Sequence, residues 1–189
     1  GDLRFVDQNG DGVISFGDDS DRVQIGSPIP DFTFGLNLNA RFKGFDLGMN
    51  FYAAIGHEII RNYERQQPYA NQLDYYIDRW TGPFTSDDIP KVTTGSTRNT
   101  EFSDFFVEDG SFLRLRNIQL GYTFPSAWLS QIQASYFRIY VSANNLLTIT
   151  GYQGFDPDIG SNGGPLNSGV DYGFYPQARS FMGGFSIRF

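Results

Sequence analysis

The run Asp7-Gln8-Asn9-Gly10-Asp11-Gly12-Val13-Ile14-Ser15-Phe16-Gly17-Asp18 places carboxylate or amide oxygens at the first, third, fifth and twelfth positions, glycine at the sixth and an aliphatic residue at the eighth. That is the spacing of an EF-hand-type calcium loop, which wraps a hard cation in six to eight oxygens. In this template Asp7, Asn9 and Asp11 give side-chain oxygens, Val13 its backbone carbonyl and Ser15 an oxygen directly or through water, while Asp18 closes the sphere. Gly12 permits the sharp bend. The expected cofactor is a calcium ion (Ca2+), and an external site of this kind needs a dissociation constant on the order of only 0.1 to 1 mM. Aspartate at the twelfth position is shorter than the usual glutamate, and the same Asn/Asp/Gly-rich run also makes an ordinary turn without metal.

Elsewhere the chain is poor in catalytic groupings. His57 is the single histidine and sits beside Glu58 without the partners that catalysis or metal binding would require, so it reads as a loop or rim residue. There is no cysteine, hence no disulfide framework and no thiolate site. Nothing resembles a nucleophile with its base, and the expectation is that the chain is not an enzyme. Fourteen Lys and Arg against 21 Asp and Glu give a net charge of -7, which argues against a nucleic-acid partner. The stretch between Tyr63 and Phe84 mixes Tyr75, Tyr76 and Trp80 with Arg79, the composition of a sugar or peptide platform or of a docking surface for a lid. Aromatics at a membrane interface give the same composition.

These residues have to be positioned by strands. Nineteen Phe, eleven Tyr and 22 Gly occur in alternation rather than at helical spacing. Phe32, Phe34, Leu36, Leu38, Ala40 and Phe42 share one face of a first strand, and Phe45, Leu47, Met49, Phe51 and Ala53 one face of a second, joined by a Lys43-Gly44 hairpin turn. A third strand over 112–124 carries Ile118, Leu120, Tyr122 and Phe124 on one parity and Leu113 and Leu115 on the other, which calls for a bulge near Arg116. Arg114 and Arg116 on it face a lumen or pair with Glu108 and Asp109. After a turn at Pro125-Ser126-Ala127-Trp128, a fourth strand is expected over 136–146 and a fifth over 180–189, where Phe181, Phe185, Ile187 and Phe189 alternate with glycine and polar residues. About nine tilted residues suffice to cross a bilayer.

The faces opposite the apolar ones hold Asn, Gly, Ser, Tyr and Arg with few charges, as a wet lumen does. Connections alternate short and long, with loops expected at 55–110 and 147–177, the pattern of an outer-membrane barrel with short periplasmic turns and long external loops. The fold class expected is therefore all-β, a transmembrane antiparallel β-barrel, with residues 1–29 as an extracellular loop bearing the calcium motif and 30–189 as barrel strands. Five strands cannot close in a lipid bilayer, so the rest of the barrel has to lie elsewhere. The opening Gly1-Asp2-Leu3-Arg4 reads like the interior of a longer chain. A passive porin and a secreted calcium-binding β-module, an adhesin or carbohydrate-binding domain, are the alternatives. The porin shares the strands, and the secreted module shares the aspartate loop.

Seven blocks, in this order, go further: Asp7-Gln-Asn-Gly-Asp-Gly12, Ile25-Gly-Ser-Pro-Ile-Pro-Asp-Phe-Thr-Phe-Gly35, Lys43-Gly-Phe-Asp-Leu47, Glu108-Asp-Gly-Ser-Phe-Leu-Arg-Leu-Arg-Asn-Ile-Gln-Leu-Gly-Tyr-Thr-Phe-Pro125, Asn144-Asn-Leu-Leu-Thr148, Gly154-Phe-Asp-Pro-Asp158 and Gly184-Phe-Ser-Ile-Arg-Phe189. Together they resemble the C-terminal barrel segment of the SusC/RagA family of TonB-dependent outer-membrane transporters. The resemblance implies the last five strands of a barrel of about 22, plugged by a domain that this chain lacks. It also implies import of oligosaccharides or peptides across the outer membrane of a Gram-negative bacterium. The implied partners are a SusD-like surface lipoprotein acting as lid, the remainder of the barrel and plug, and TonB reached through the absent N-terminal part.

Overall fold

A computed structural model of the chain describes residues 1–17, 21–63, 73–95, 97–129, 133–161, 164 and 167–189. They form two compact units, one of residues 1–26 and 60–107 and the other of 27–59 and 108–189. The second unit is built on five antiparallel strands, β1 (Phe32–Phe42), β2 (Phe45–Ile55), β5 (Phe112–Thr123), β6 (Tyr136–Thr150) and β8 (Ser180–Arg188), in the order β1-β2-β5-β6-β8. Three short strands, β3 (Glu58–Arg61), β4 (Val107–Asp109) and β7 (Val170–Asp171), make a second sheet ordered β4-β3-β7. Helix elements among the described residues include two 3₁₀ turns, at Asp74–Asp78 and Asp104–Phe106, and α1 (Ser126–Leu129) in the connection before β6. No helix among the described residues is long and apolar enough to cross a membrane.

The turn between β1 and β2 needs left-handed backbone at both central residues, and Lys43 (φ 45°) and Gly44 (φ 89°) supply it. Pairing of Phe42 with Phe45 then fixes the hairpin register. The bulge expected near Arg116 is present: Asn50 and Phe51 of β2 pair with Asn117 and Leu115, leaving Arg116 without a partner. On the other side Asn117 pairs with Asn144 and Leu115 with Leu147, so Asn145 and Leu146 of β6 are extra as well. Asn145 takes the left-handed φ of 51°. The skip at Arg116 puts Leu113 and Leu115 on the same face as Ile118 and Leu120.

β6 runs to Thr150, four residues past the expected end at 146. Because two residues are skipped, the parity is kept: Leu147 and Ile149, paired to Leu115 and Leu113, continue the face of Val141 and Ala143 beyond the Asn145-Leu146 interruption. The other four principal strands end within one residue of expectation.

One face of the five-stranded sheet is apolar and exposed. Phe34, Leu36, Phe45, Leu120, Val141, Ile149 and Phe185 all lie open on it, and Phe181 is 73% exposed. A two-layer sandwich would bury such a face, whereas lipid solvates it. Toward the short-turn end the rings form a belt, with centroid spacings of 4.6 Å for Phe45–Tyr122, 5.0 Å for Tyr122–Phe124, 5.0 Å for Phe124–Phe137 and 6.4 Å for Phe137–Phe185. Such a belt belongs at the level of lipid head groups. Adjacent residues of β5 test the two faces. In the complete barrel, Leu120→Arg should lower stability in urea unfolding by about 2–4 kcal/mol, whereas Gln119→Arg on the opposite face should change it by well under half of that.

Candidate functional site

The polar face of the sheet is organised in rows set by register. Asn37, Asn50, Asn117, Asn144 and Ser180 are successive partners across all five strands. Asn50 Nδ2 donates to Asn37 Oδ1 (2.5 Å), Asn117 Nδ2 to Asn144 Oδ1 (2.7 Å) and Asn144 Nδ2 to Ser180 Oγ (3.0 Å). The next row toward the short turns is Asn39, Gly48, Gln119, Ser142 and Met182, and the one after it Arg41, Asp46, Gly121, Tyr140 and Gly184. Gly121 leaves a gap through which Arg138 of β6 reaches Asp46 of β2, donating through Nε (2.9 Å) and Nη2 (2.5 Å) to its two oxygens.

On the long-loop side of the amide row the charges are more deeply set. Arg114 is 2% exposed, donates from Nε to Thr148 Oγ1 (3.0 Å), pairs with Asp156 and approaches Asp158 Oδ2 at 3.4 Å. Arg116 stacks on the Tyr52 ring at 3.7 Å and lies 3.5 Å from Asp158. Of the two alternatives for these arginines, the pairing with Glu108 and Asp109 gives way to pairing with the Asp156-Pro157-Asp158 corner. Glu108 instead accepts from the Gln153 amide (2.9 Å) and Asp109 from the Ser111 amide (2.8 Å). Hydrogen bonds from Ser111 hold the Asp109 carboxyl below its ordinary value.

Two buried aspartates fix the segment between β6 and β8. Asp156 accepts from the amides of Asp158 (2.9 Å) and Gln177 (3.0 Å). Asp171, 1% exposed, accepts from Gly173 and Phe174 amides and from Tyr152 Oη (2.6 Å). Burying a carboxylate is costly unless its oxygens are met by such donors. His57, expected at a rim, is buried, and its backbone oxygen accepts from Gly110 N at 2.8 Å.

In the first unit, the aspartate loop is wound by side-chain to backbone bonds. Asp7 accepts from Gly10 N (2.7 Å) and Gly12 N (2.8 Å), Asn9 Oδ1 from Asp11 N (2.9 Å) and Asp11 Oδ1 from Val13 N (2.7 Å). Gly10 (φ 76°) and Gly12 (φ 82°) take the left-handed conformation that this winding needs. The sequence template overlooked Asp21, which ties the two ends together by accepting from Gln8 N (2.7 Å) and Ser15 N (2.8 Å). Its only sequence signal is its place in the acidic run after Gly17. Asp18 lies outside the described residues. Among the described residues, no three acidic, histidine or cysteine side chains converge as a metal cage.

The aromatic loop residues are partly committed to the loop itself. Tyr75 and Tyr76 stack with centroids 4.4 Å apart, and Arg61 sits 5.2 Å over the Tyr75 ring. Arg79 Nη1 donates to Tyr76 O (3.0 Å), and Trp80 packs over Gly1 while its amide donates to Ile89 O (2.9 Å). Tyr75 and Tyr76 are half-buried.

The Ser15 and Gln8 amides hold the Asp21 carboxyl below its ordinary value of 3.8. A lowered folded-state pKa means that these contacts stabilise the loop above the ordinary value and are lost as pH falls through the lowered one. The amide shifts of Gln8 and Ser15 should therefore titrate together with a midpoint below 3.8. Asp21→Asn should abolish the titration, and a midpoint at or above 3.8 would contradict the contacts.

No family model matches the chain. It is 37% identical to TonB-dependent receptor P3 of Formosa agariphila, over 98% of this chain and 19% of that protein. It is 28% identical to TonB-dependent receptor SusC of Bacteroides thetaiotaomicron, over 98% of this chain and 17% of that one. Among solved structures, the RagAB peptide importer in its closed-closed state matches with a TM-score of 0.73 at 29% identity, covering 93% of this chain and 19% of that one. The chain thus spans less than a quarter of the length of these relatives, which are receptors and transporters rather than enzymes. With an open antiparallel sheet, apolar on one face and polar on the other, this chain belongs to the SusC/RagA family of TonB-dependent transporters as a stretch of their β-barrel.

Proposed function

We propose that the protein containing this chain imports an oligomeric nutrient, an oligosaccharide or a peptide, across the outer membrane of a Gram-negative bacterium, driven through TonB. The chain supplies barrel wall and external loops, and does no covalent chemistry. The observation that carries this reading is the two-faced sheet, whose exposed apolar side suits lipid and whose amide-lined side suits a wet passage. A SusD-like surface lipoprotein closes the passage from outside, and a plug fills it from within. The long connections, at the end opposite the Lys43-Gly44 turn, face outward in this arrangement. Tyr75, Tyr76, Arg79 and Trp80 are the surface proposed to touch lid or cargo. Deleting residues 63–84 should cut lid co-purification or uptake severalfold while the barrel still assembles. Unchanged lid association together with unchanged uptake would remove this loop from the contact surface.

We further propose that the loop over residues 7–18 binds Ca2+. The donor set of Asp7, Asn9, Asp11, Val13 and Ser15 is all oxygen, as calcium requires. A carboxylate that accepts one turn bond per oxygen keeps lone pairs for a metal. Asp18 belongs to the same set. Millimolar calcium should raise the protection of residues 7–21 against proteolysis, and Asp7→Ala should abolish that response. Equal cleavage with calcium and with chelator would leave the loop an ordinary turn.

A further inference from the structure

Arg114 and Arg116, two residues apart on β5, are held in opposite ways. Arg114 is buried and met by Thr148, Asp156 and Asp158. Arg116 keeps 43% of its side chain exposed, and its one ion-pair partner among the described residues is Asp158, at 3.5 Å. A charge-assisted bond made at full strength is about 2.7–2.9 Å long. The guanidinium is nevertheless not loose, because it stacks at 3.7 Å on Tyr52. The backbone beneath it is unusual as well: Arg116 is skipped by the ladders on both sides, and β6 answers with two extra residues and a left-handed Asn145. Bulges re-aim side chains, and strained residues persist where the surroundings over-determine them.

The residue after Arg116 begins the amide row. Asn37, Asn50, Asn117, Asn144 and Ser180 cross five strands at one level, about 19 Å at ordinary strand spacing. Each amide has four hydrogen-bonding positions, and the bonds along the row use one or two of them. The row carries no charge, so it can follow the neutral polar groups of a chain-like molecule but cannot neutralise an ionised end. Arg116 is the exposed cation beside it.

We propose that Arg116, stacked on Tyr52, is a carboxylate-binding post on the lumen wall, that the amide row below it receives the uncharged part of the same elongated molecule, and that Asp158 occupies the post when no cargo does. The setting rests on the import reading, but binding to the post does not require transport. A peptide C-terminus and an acidic sugar present the same carboxylate, and both are probes.

The test is equilibrium binding to the full-length receptor in detergent, without TonB. Paired ligands are used: an oligopeptide with a free or an amidated C-terminus, and an oligosaccharide ending in a uronate or in a neutral sugar. The carboxylate member of at least one pair should bind about ten times more tightly than its neutral counterpart, and the pair that shows this names the source. Arg116→Gln should erase the preference, and Arg116→Lys, which keeps the charge but loses the fork and the flat stack, should restore only part of it. Asp158→Asn is the decisive variant. It removes the competing carboxylate and should tighten binding of the carboxylate ligand severalfold, while Arg114 retains Asp156 and Thr148. If Arg116 and Asp158 form only a strut that holds the loop, Arg116→Gln and Asp158→Asn weaken binding together, and the proposal falls. It falls equally if wild-type receptor binds neither carboxylate ligand or shows no preference in either pair. Tight, carboxylate-selective binding without uptake in cells would instead count against the import reading and leave the post standing.

Discussion

A strand in hydrocarbon has no water to fall back on, so each of its backbone N–H and C=O groups must find a partner in protein or cost several kcal/mol. The order β1-β2-β5-β6-β8 meets this requirement for the three inner strands, while Phe32–Phe42 and Ser180–Arg188 each have a neighbour on one side alone within the described sheet. The remaining ladders have to come from further strands, in keeping with relatives of which this chain covers 19% or less. The side chains divide accordingly: the membrane accepts Phe, Leu and Val on one face, and everything that carries a hydrogen bond is pushed to the other.

On that second face the treatment of charge follows depth. An arginine as buried as Arg114 has to be surrounded by acceptors, because an unpaired charge there would cost more than its packing contributes. Three acceptors from β6 and the following segment meet it, so the loop corner at Asp156 is bound to the wall by the wall's own electrostatic need. The Arg138–Asp46 pair nearer the short turns is shallower and depends instead on a missing side chain, since a Cβ at Gly121 would lie within 2.6 Å of Asp46 Oδ1. Both devices cross strand boundaries, stitching neighbours together through side chains where the backbone ladder already joins them.

Much of this was legible in the sequence, because period-two alternation and short turns are local signals. The Lys43-Gly44 hairpin, the bulge at Arg116 and the parity of Leu113 and Leu115 all follow from reading along the chain. What stayed hidden depends on residues far apart. The partners of Arg114 lie over forty positions away, at Asp156 and Asp158, whereas Glu108 and Asp109 were merely near in sequence. The amide row could have been assembled from the hairpin registers had the bulge been counted through, since Asn37, Asn50, Asn117 and Asn144 all sit on the polar parity. Asp21 escaped because a fixed-length template looks for its last acid at one position only, and Asp21 lies beyond it.

The paired irregularity at Arg116 and Asn145 also constrains how such a wall can vary over evolution. Upstream of Arg116 the strand presents Leu113 and Leu115 outward, and downstream Ile118 and Leu120, so skipping Arg116 in the ladder works as a frame correction between two halves of one strand. Were Arg116 paired in the ladder instead of skipped, Arg114 would turn toward lipid and Leu113 and Leu115 toward water, while several residues gained or lost between β2 and β5, or between β6 and β8, would leave every facing unchanged. Length can therefore drift in the external loops, where cargo and partners change, and is arrested within the strands. Insertions and deletions become a record of which parts of the wall have been free to explore.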